Sequence, residues 1–168
     1  MKIDEIGSFL DYYGKIRQRT KRVIQYIPEE RLEWRYKDGV FSSGDLIRHI
    51  AAIERYVYAE VVADRPSCYQ GCGTDLAIGL ANTIEFMDRL HEESMSIFSQ
   101  LSTLGLQSKL TSPGGYPITC WKWLRALVEH EIHHRGQLYM YLGMLDISTP
   151  PIFGLSSEEL QSYTKPSK

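Results

Sequence analysis

The sequence predicts an all-α protein, a four-helix bundle in a single domain spanning residues 1–168. Two observations carry this. Apolar residues recur at helical spacing in four long stretches, each bounded by proline, glycine or a capping residue. Elsewhere there is no internal repeat, no low-complexity tract and no convincing strand alternation. A chain of 168 residues is long enough to bury a substantial core, and four amphipathic helices around one core is the simplest way to do so.

The first helix is expected over about 3–27, where Ile6, Phe9, Leu10, Tyr13, Ile16, Val23 and Ile27 keep the period and Pro28 ends it. Residues 28–42 hold a turn signal at Asp38-Gly39 and no sustained period. They read as an ordered connection that packs Leu32, Trp34 and Tyr36, with Trp34 as a plug at the bundle end. Ser42 followed by Asp45 has the form of a capping box and opens a second helix over about 43–63. Its buried stripe is Leu46, Ile50, Ile53 and Val57, with Arg48 and Arg55 on the charged face. Residues 64–74 are rich in Pro, Gly, Ser and Cys and read as a linker. The third helix, about 75–101, carries Leu80, Ile84, Met87, Met95 and Phe98 in one stripe, with His91 among them. A loop containing Ser112-Pro113-Gly114-Gly115 leads to Thr119 as N-cap of a fourth helix over about 119–145, and Pro150-Pro151, which cannot extend that helix, opens a tail that ends polar and frayed.

A formal net charge of −2 gives no basic field to hold a phosphate backbone, so no nucleic-acid partner is expected. The N-terminus mixes acids and bases among its apolar residues, unlike a signal peptide or membrane span. The expected location is therefore cytoplasmic, with no membrane partner. Three cysteines argue against a disulfide framework, and Cys68-x-x-x-Cys72 lacks the second pair that would complete a zinc site.

The chemistry gathers on the fourth helix, which holds three of the five histidines within five residues. His130 and His134 stand i, i+4, one turn apart on one face, and point with Trp123, Leu127, Leu138 and Tyr141. His133 points to one side. On the second helix His49 lies beside the buried stripe, in register with Leu46, Ile53 and Tyr56. Alone it would read as a core residue, but the inward pair on the fourth helix makes it a candidate ligand. Three neutral imidazoles suit zinc, nickel, cobalt or ferrous iron and leave coordination positions open to water or substrate. There is no glycine-rich phosphate loop and no G-x-S-x-G elbow, so nucleotide and serine-hydrolase chemistry find no motif.

His49, the run His130-Glu131-Ile132-His133-His134-Arg135-Gly136-Gln137-Leu138, the following Tyr139-Met140-Tyr141-Leu142 and Pro150-Pro151 together resemble the DinB/YfiT family. The resemblance implies a bundle of up-down-down-up topology, a homodimer, and a divalent metal ion, zinc or nickel, held by His49, His130 and His134. Relatives include transferases and isomerases that use small-molecule thiols such as bacillithiol and mycothiol. On that footing the expected function is metal-dependent S-transfer from a low-molecular-weight thiol to a small electrophile. The alternative is a metal-binding or damage-response module without turnover. His133 is expected beside the centre or at its rim, and Glu131 is weighed as an acceptor for an imidazole N–H. Arg135, Ile132 and Val128 are expected on the outer side of the fourth helix, with Arg135 serving structure or a subunit contact in preference to holding an acidic substrate group. In the implied topology the second and third helices are parallel, which keeps His91 far from His49 and out of the ligand set. The catalytic residues themselves are unknown at this level.

Overall fold

The computed structural model describes residues 2–164; the expectation for the end of the tail, 165–168, lies outside them. Four helices build the body: α1 (Ile6–Ile24), α2 (Ser43–Ile53), α4 (Leu80–Phe98) and α6 (Cys120–Met144). α2 continues through a π-helical turn, Glu54–Ala59, into the short α3 (Glu60–Val62). A five-residue helix α5 (Thr103–Gln107) and a two-stranded antiparallel hairpin, β1 (Lys109–Thr111) with β2 (Pro117–Thr119), fill the connection to α6. The tail ends in α7 (Ser157–Thr164). The all-α expectation holds, with this hairpin an addition that strands of three residues are too short to announce by alternation.

The core falls into two clusters. One joins Val23 and Ile24 of α1, Leu46 and Ile50 of α2, Met87 and Leu90 of α4, and Leu138 and Leu142 of α6. The other joins Phe9, Tyr13 and Ile16, Ala59, Phe98, and Leu124 and Leu127. α1 and α6 therefore run from the second cluster to the first, and α2 and α4 run the other way. Between the clusters lies a polar layer of Arg17, Thr20, Glu54 and Glu131, all at most 1% exposed. Arg17 donates to Glu54 and faces Glu131 Oε2 at 3.1 Å, Thr20 Oγ1 donates to Glu131 Oε1 at 2.6 Å, and His91 Nδ1 lies 2.8 Å from Glu54 Oε1. Burial disfavours the Arg17 charge, but Glu131 and Glu54 outweigh it and leave its pKa raised. The wider π-helical turn admits an extra residue, and Glu54 at its start and Ala59 at its end both face inward.

The second helix opens as expected: Ser42 Oγ accepts from Asp45 N and Asp45 Oδ2 from Ser42 N, both at 2.9 Å. Arg48 corrects the expectation of a charged outer face, because it is wholly buried. Its guanidinium binds Glu33 in the first connection, Asp45 in the cap, and the carbonyls of Cys72 and Ala77 in the linker. One side chain thus ties three segments together. Gly44 makes this possible, since a Cβ there would meet Glu33 Oε1 at 2.6 Å and the guanidinium at 3.0 Å.

The linker doubles back along α2, with Cys68 N bonded to Tyr56 O and Cys72 O at Arg48. α4 begins at Leu80, five residues later than expected, where Gly79 takes φ 80° and the Glu29 carboxylate accepts from Leu80 N. Thr119 stands at the N-cap of α6 without capping it; its hydroxyl accepts from Lys109 Nζ instead. Beyond α6, Tyr139 OH donates to Pro150 O and Ile152 packs on the core, so the start of the tail is anchored.

Candidate metal centre

His49, His130 and His134 converge where α2 crosses α6, beside the polar layer. Each offers a ring nitrogen, and the three nitrogens lie within 4.8 Å of one another. His130 Nε2 is 3.0 Å from His134 Nε2 and 3.2 Å from His49 Nε2. Tetrahedral coordination at about 2.0–2.1 Å separates two nitrogens by about 3.3–3.4 Å, and the two edges at His130, 3.0 and 3.2 Å, lie close to that separation.

The outer nitrogens explain why these faces turn inward. His134 Nδ1 lies 2.7 Å from the amide oxygen of Gln137, one turn on, which accepts its proton. His49 Nδ1 lies 2.8 Å from the hydroxyl of Tyr69, which also meets the Cys72 thiol. The Gln137 oxygen can only accept, so His134 leaves its Nε2 lone pair toward His130; His49 does the same in the tautomer whose Nδ1 donates to the Tyr69 hydroxyl, and His130 Nε2 completes the triangle. Facing lone pairs repel, and a cation among them converts that repulsion into bonding. His130 Nδ1 is buried with no hydrogen-bond partner among the described residues.

Electrostatics holds these rings neutral. Burial, then the other imidazoles, pushes His130 down to about 3, and burial with His134 pushes His49 down to about 4. Burial lowers His134 as well, the Gln137 contact opposing it. Neutral imidazole is the form that binds metal.

The other expected residues have different places. His133 is exposed, its ring 5.0 Å from that of His134, at the rim. His91 turns to Glu54 and stacks edge-on to Tyr13 at 5.3 Å, outside the cluster. Glu131 accepts from Thr20 and pairs with Arg17, so it serves the polar layer and not an imidazole. Arg135 and Val128 are buried, at 4% exposure each, against the expectation of an outer face; Arg135 reaches Ile16 O at 3.4 Å on α1. Only Ile132 of that trio is exposed. The helical wheel misplaced them because α6 is covered on more than one side, by α1 as well as α2. Cys68 is exposed, Cys72 buried, and neither belongs to the metal cluster found among the described residues.

Two residues were missed from the sequence. Gln137 was legible in principle, three residues after His134 on the same helix. Tyr69 was not, since only the returning linker, pinned by Arg48, brings it to His49.

The comparisons with known proteins agree with this architecture. The model of the DinB superfamily matches residues 12–138. An uncharacterised Bacillus subtilis protein, YjoA, is 26% identical over 154 residues, which cover 88% of this chain and 95% of that protein. The crystal structure of YjoA, described as a DinB-like protein, matches with TM-score 0.69 at 18% identity, over 86% of this chain and 96% of that one. A DinB-like protein from Bacillus cereus matches with TM-score 0.74 at 17% identity, over 89% and 99%. With the family model spanning most of its length, from α1 to late in α6, this chain belongs to the DinB superfamily.

Proposed function

We propose that this protein is a divalent-metal-dependent enzyme that transfers a low-molecular-weight thiol to a small electrophile, with His49, His130 and His134 as the metal ligands. The observation that carries the reading is the convergence of three Nε2 atoms at 3.0 and 3.2 Å, two of them backed by Nδ1 partners. When bound, a zinc or nickel ion with three protein ligands has positions left for a thiol and lowers its pKa, supplying the thiolate nucleophile. Gln137 and Tyr69 fix the ring orientations, and the burial of His134 limits water on one side of the site. In the reaction the thiolate sulfur forms a bond to the electrophilic carbon, the leaving group departs with the bonding pair, and the thiol proton goes to solvent.

The test is consumption of bacillithiol or cysteine with 1-chloro-2,4-dinitrobenzene by zinc-loaded and nickel-loaded protein, with and without chelator. Chelator-sensitive turnover that vanishes in His130→Ala supports the reading. Stoichiometric metal binding with no turnover for any thiol would instead favour the metal-binding module without chemistry.

The same reading includes a cytoplasmic location and a homodimer. No helix among the described residues is long and apolar enough to cross a membrane, which fits that location. Support for pairing comes from a groove of about 1010 Å³ between α6 and the tail, where Ile132, Phe153 and Leu155 are exposed. Light scattering at micromolar concentration should give twice the chain mass, and a monomer would remove this part of the proposal.

A further inference from the structure

Beside the histidine cluster the first connection and the last turns of α6 enclose a second, smaller cavity of about 420 Å³. Its walls are Tyr36, Val40 and Phe41 on one side and Met140 and Met144 on the other. Leu46 and Tyr141, both buried, lie beneath. The wall from the connection is held in place from below. Tyr141 OH donates to Phe41 O at 2.9 Å, and the Tyr141 ring meets Trp34 and Tyr36 edge-on at 5.6 and 5.8 Å.

Three lining residues belong to the surroundings of the metal centre. Gln137 binds His134, His133 packs 5.0 Å from His134, and the Phe41 ring lies 5.1 Å from that of His49. A molecule seated in the cavity is therefore one side chain away from two of the three candidate ligands. No Asp, Glu, Lys or Arg lines it; Lys37 lies over the Tyr36 ring at 5.5 Å but is not part of the lining. Aromatic rings and two methionine thioethers offer polarisable contact and no counter-charge of their own, so in the metal-free protein an anion against these walls would lose hydration without compensation. Four of the wall residues are apolar yet well exposed: Tyr36 at 48%, Phe41 at 40%, Met140 at 62% and Met144 at 51%. Apolar walls left open to solvent beside a polar centre are the usual form of a ligand site.

We propose that this cavity binds the electrophilic substrate through an uncharged aromatic or alkyl body, and that Tyr36, Phe41, Met140 and Met144 set that preference. The proposal rests on the thiol-transfer reading for the word substrate, but binding is measurable without turnover. The probe is the neutral fluorophore N-phenyl-1-naphthylamine, titrated into metal-free and zinc-loaded protein with no thiol present. Saturable enhancement is expected, displaced in the metal-free protein by benzamide and at least tenfold less well by benzoate. Tyr36→Glu and Met144→Glu place a charge on an exposed wall that the groove between α6 and the tail does not share, and should each weaken the probe at least tenfold, with zinc stoichiometry and mass in solution unchanged. Equal binding in wild type and both variants, equal displacement by benzoate, or a change of mass in the variants overturns the proposal, the last by making this surface a contact between copies. A protein that binds the probe in this way but consumes no thiol leaves the cavity assigned and defeats only the transfer reading; the converse defeats only the cavity.

Discussion

His134 and Gln137 form a pair within one turn of α6: the imidazole Nδ1 lies 2.7 Å from the amide oxygen, and the opposite ring nitrogen, Nε2, lies 3.0 Å from that of His130. The contact on one side of the ring decides the lone pair on the other. Gln137→Ala should therefore weaken zinc binding about 10- to 100-fold without abolishing it, the range usual for a partner of a ligand. Tyr69→Phe should act in the same direction through His49. Competition titration against a chromogenic chelator measures both, and unchanged affinity in both variants would detach these residues from the centre.

Replacing His130 or His134 with alanine should remove divalent-ion binding, while His133→Ala should keep stoichiometric metal. His130 is the stricter test, since its Nε2 makes both short edges of the cluster. Metal analysis of tag-free protein gives the answer. Full metal content in His130→Ala would sink the ligand assignment.

The depressed imidazoles predict an unusual acid profile. Unfolded histidines take up protons near pH 6.5, whereas folded His49 and His130 wait until about 4 and about 3. Between those values the unfolded chain binds more protons, so metal-free stability should be flat above pH 6.5 and fall as pH drops through that window. For the same reason zinc affinity should change less than about tenfold from pH 7.5 to 5.5. Three solvated imidazoles of ordinary pKa, each about tenfold protonated at pH 5.5, would lose about a thousandfold. Urea unfolding and zinc titration at the two pH values check this, and stability that rises on acidification would contradict it.

Arg17 is the only guanidinium in the polar layer and meets two buried carboxylates, Glu54 and Glu131. Arg17→Met keeps much of the volume but leaves both buried acids without their guanidinium, Glu54 with only His91 and Glu131 with only the Thr20 hydroxyl among the contacts described, so it should cost about 3–5 kcal/mol. Adding Glu131→Gln to that background should recover part of the loss. A cost below about 1 kcal/mol by denaturant titration would mean the layer is not held by this charge.

Arg48→Ala should couple stability to metal affinity at a distance. The side chain fastens the Cys72 and Ala77 carbonyls, and the segment they anchor carries Tyr69 to His49. Both melting temperature and zinc affinity are expected to fall, and the zinc loss should be smaller in a Tyr69→Phe background. Additive losses would show that the linker does not transmit the effect.

The helices, the Ser42–Asp45 cap and the His130–His134 pair were legible in the chain because each is written in short-range spacing, whereas His49 entered the candidate set through its place beside the buried stripe of its helix and the family resemblance. An apolar stripe repeats every three or four residues, a capping box spans three, and His130 and His134 share a face at i, i+4. What the spacing left undecided depended on which neighbour covers each face. Arg48, Arg135 and Val128 read as outward on a wheel with one buried side, yet each is buried because the linker or α1 closes over it. Glu131 sits in the histidine run but faces Arg17 and Thr20, which lie more than a hundred residues earlier. Tyr69 became part of the centre only because the linker turns back along α2. A loop has no period to reveal its course, and its path is set by the hydrogen bonds that its carbonyls find in the folded protein.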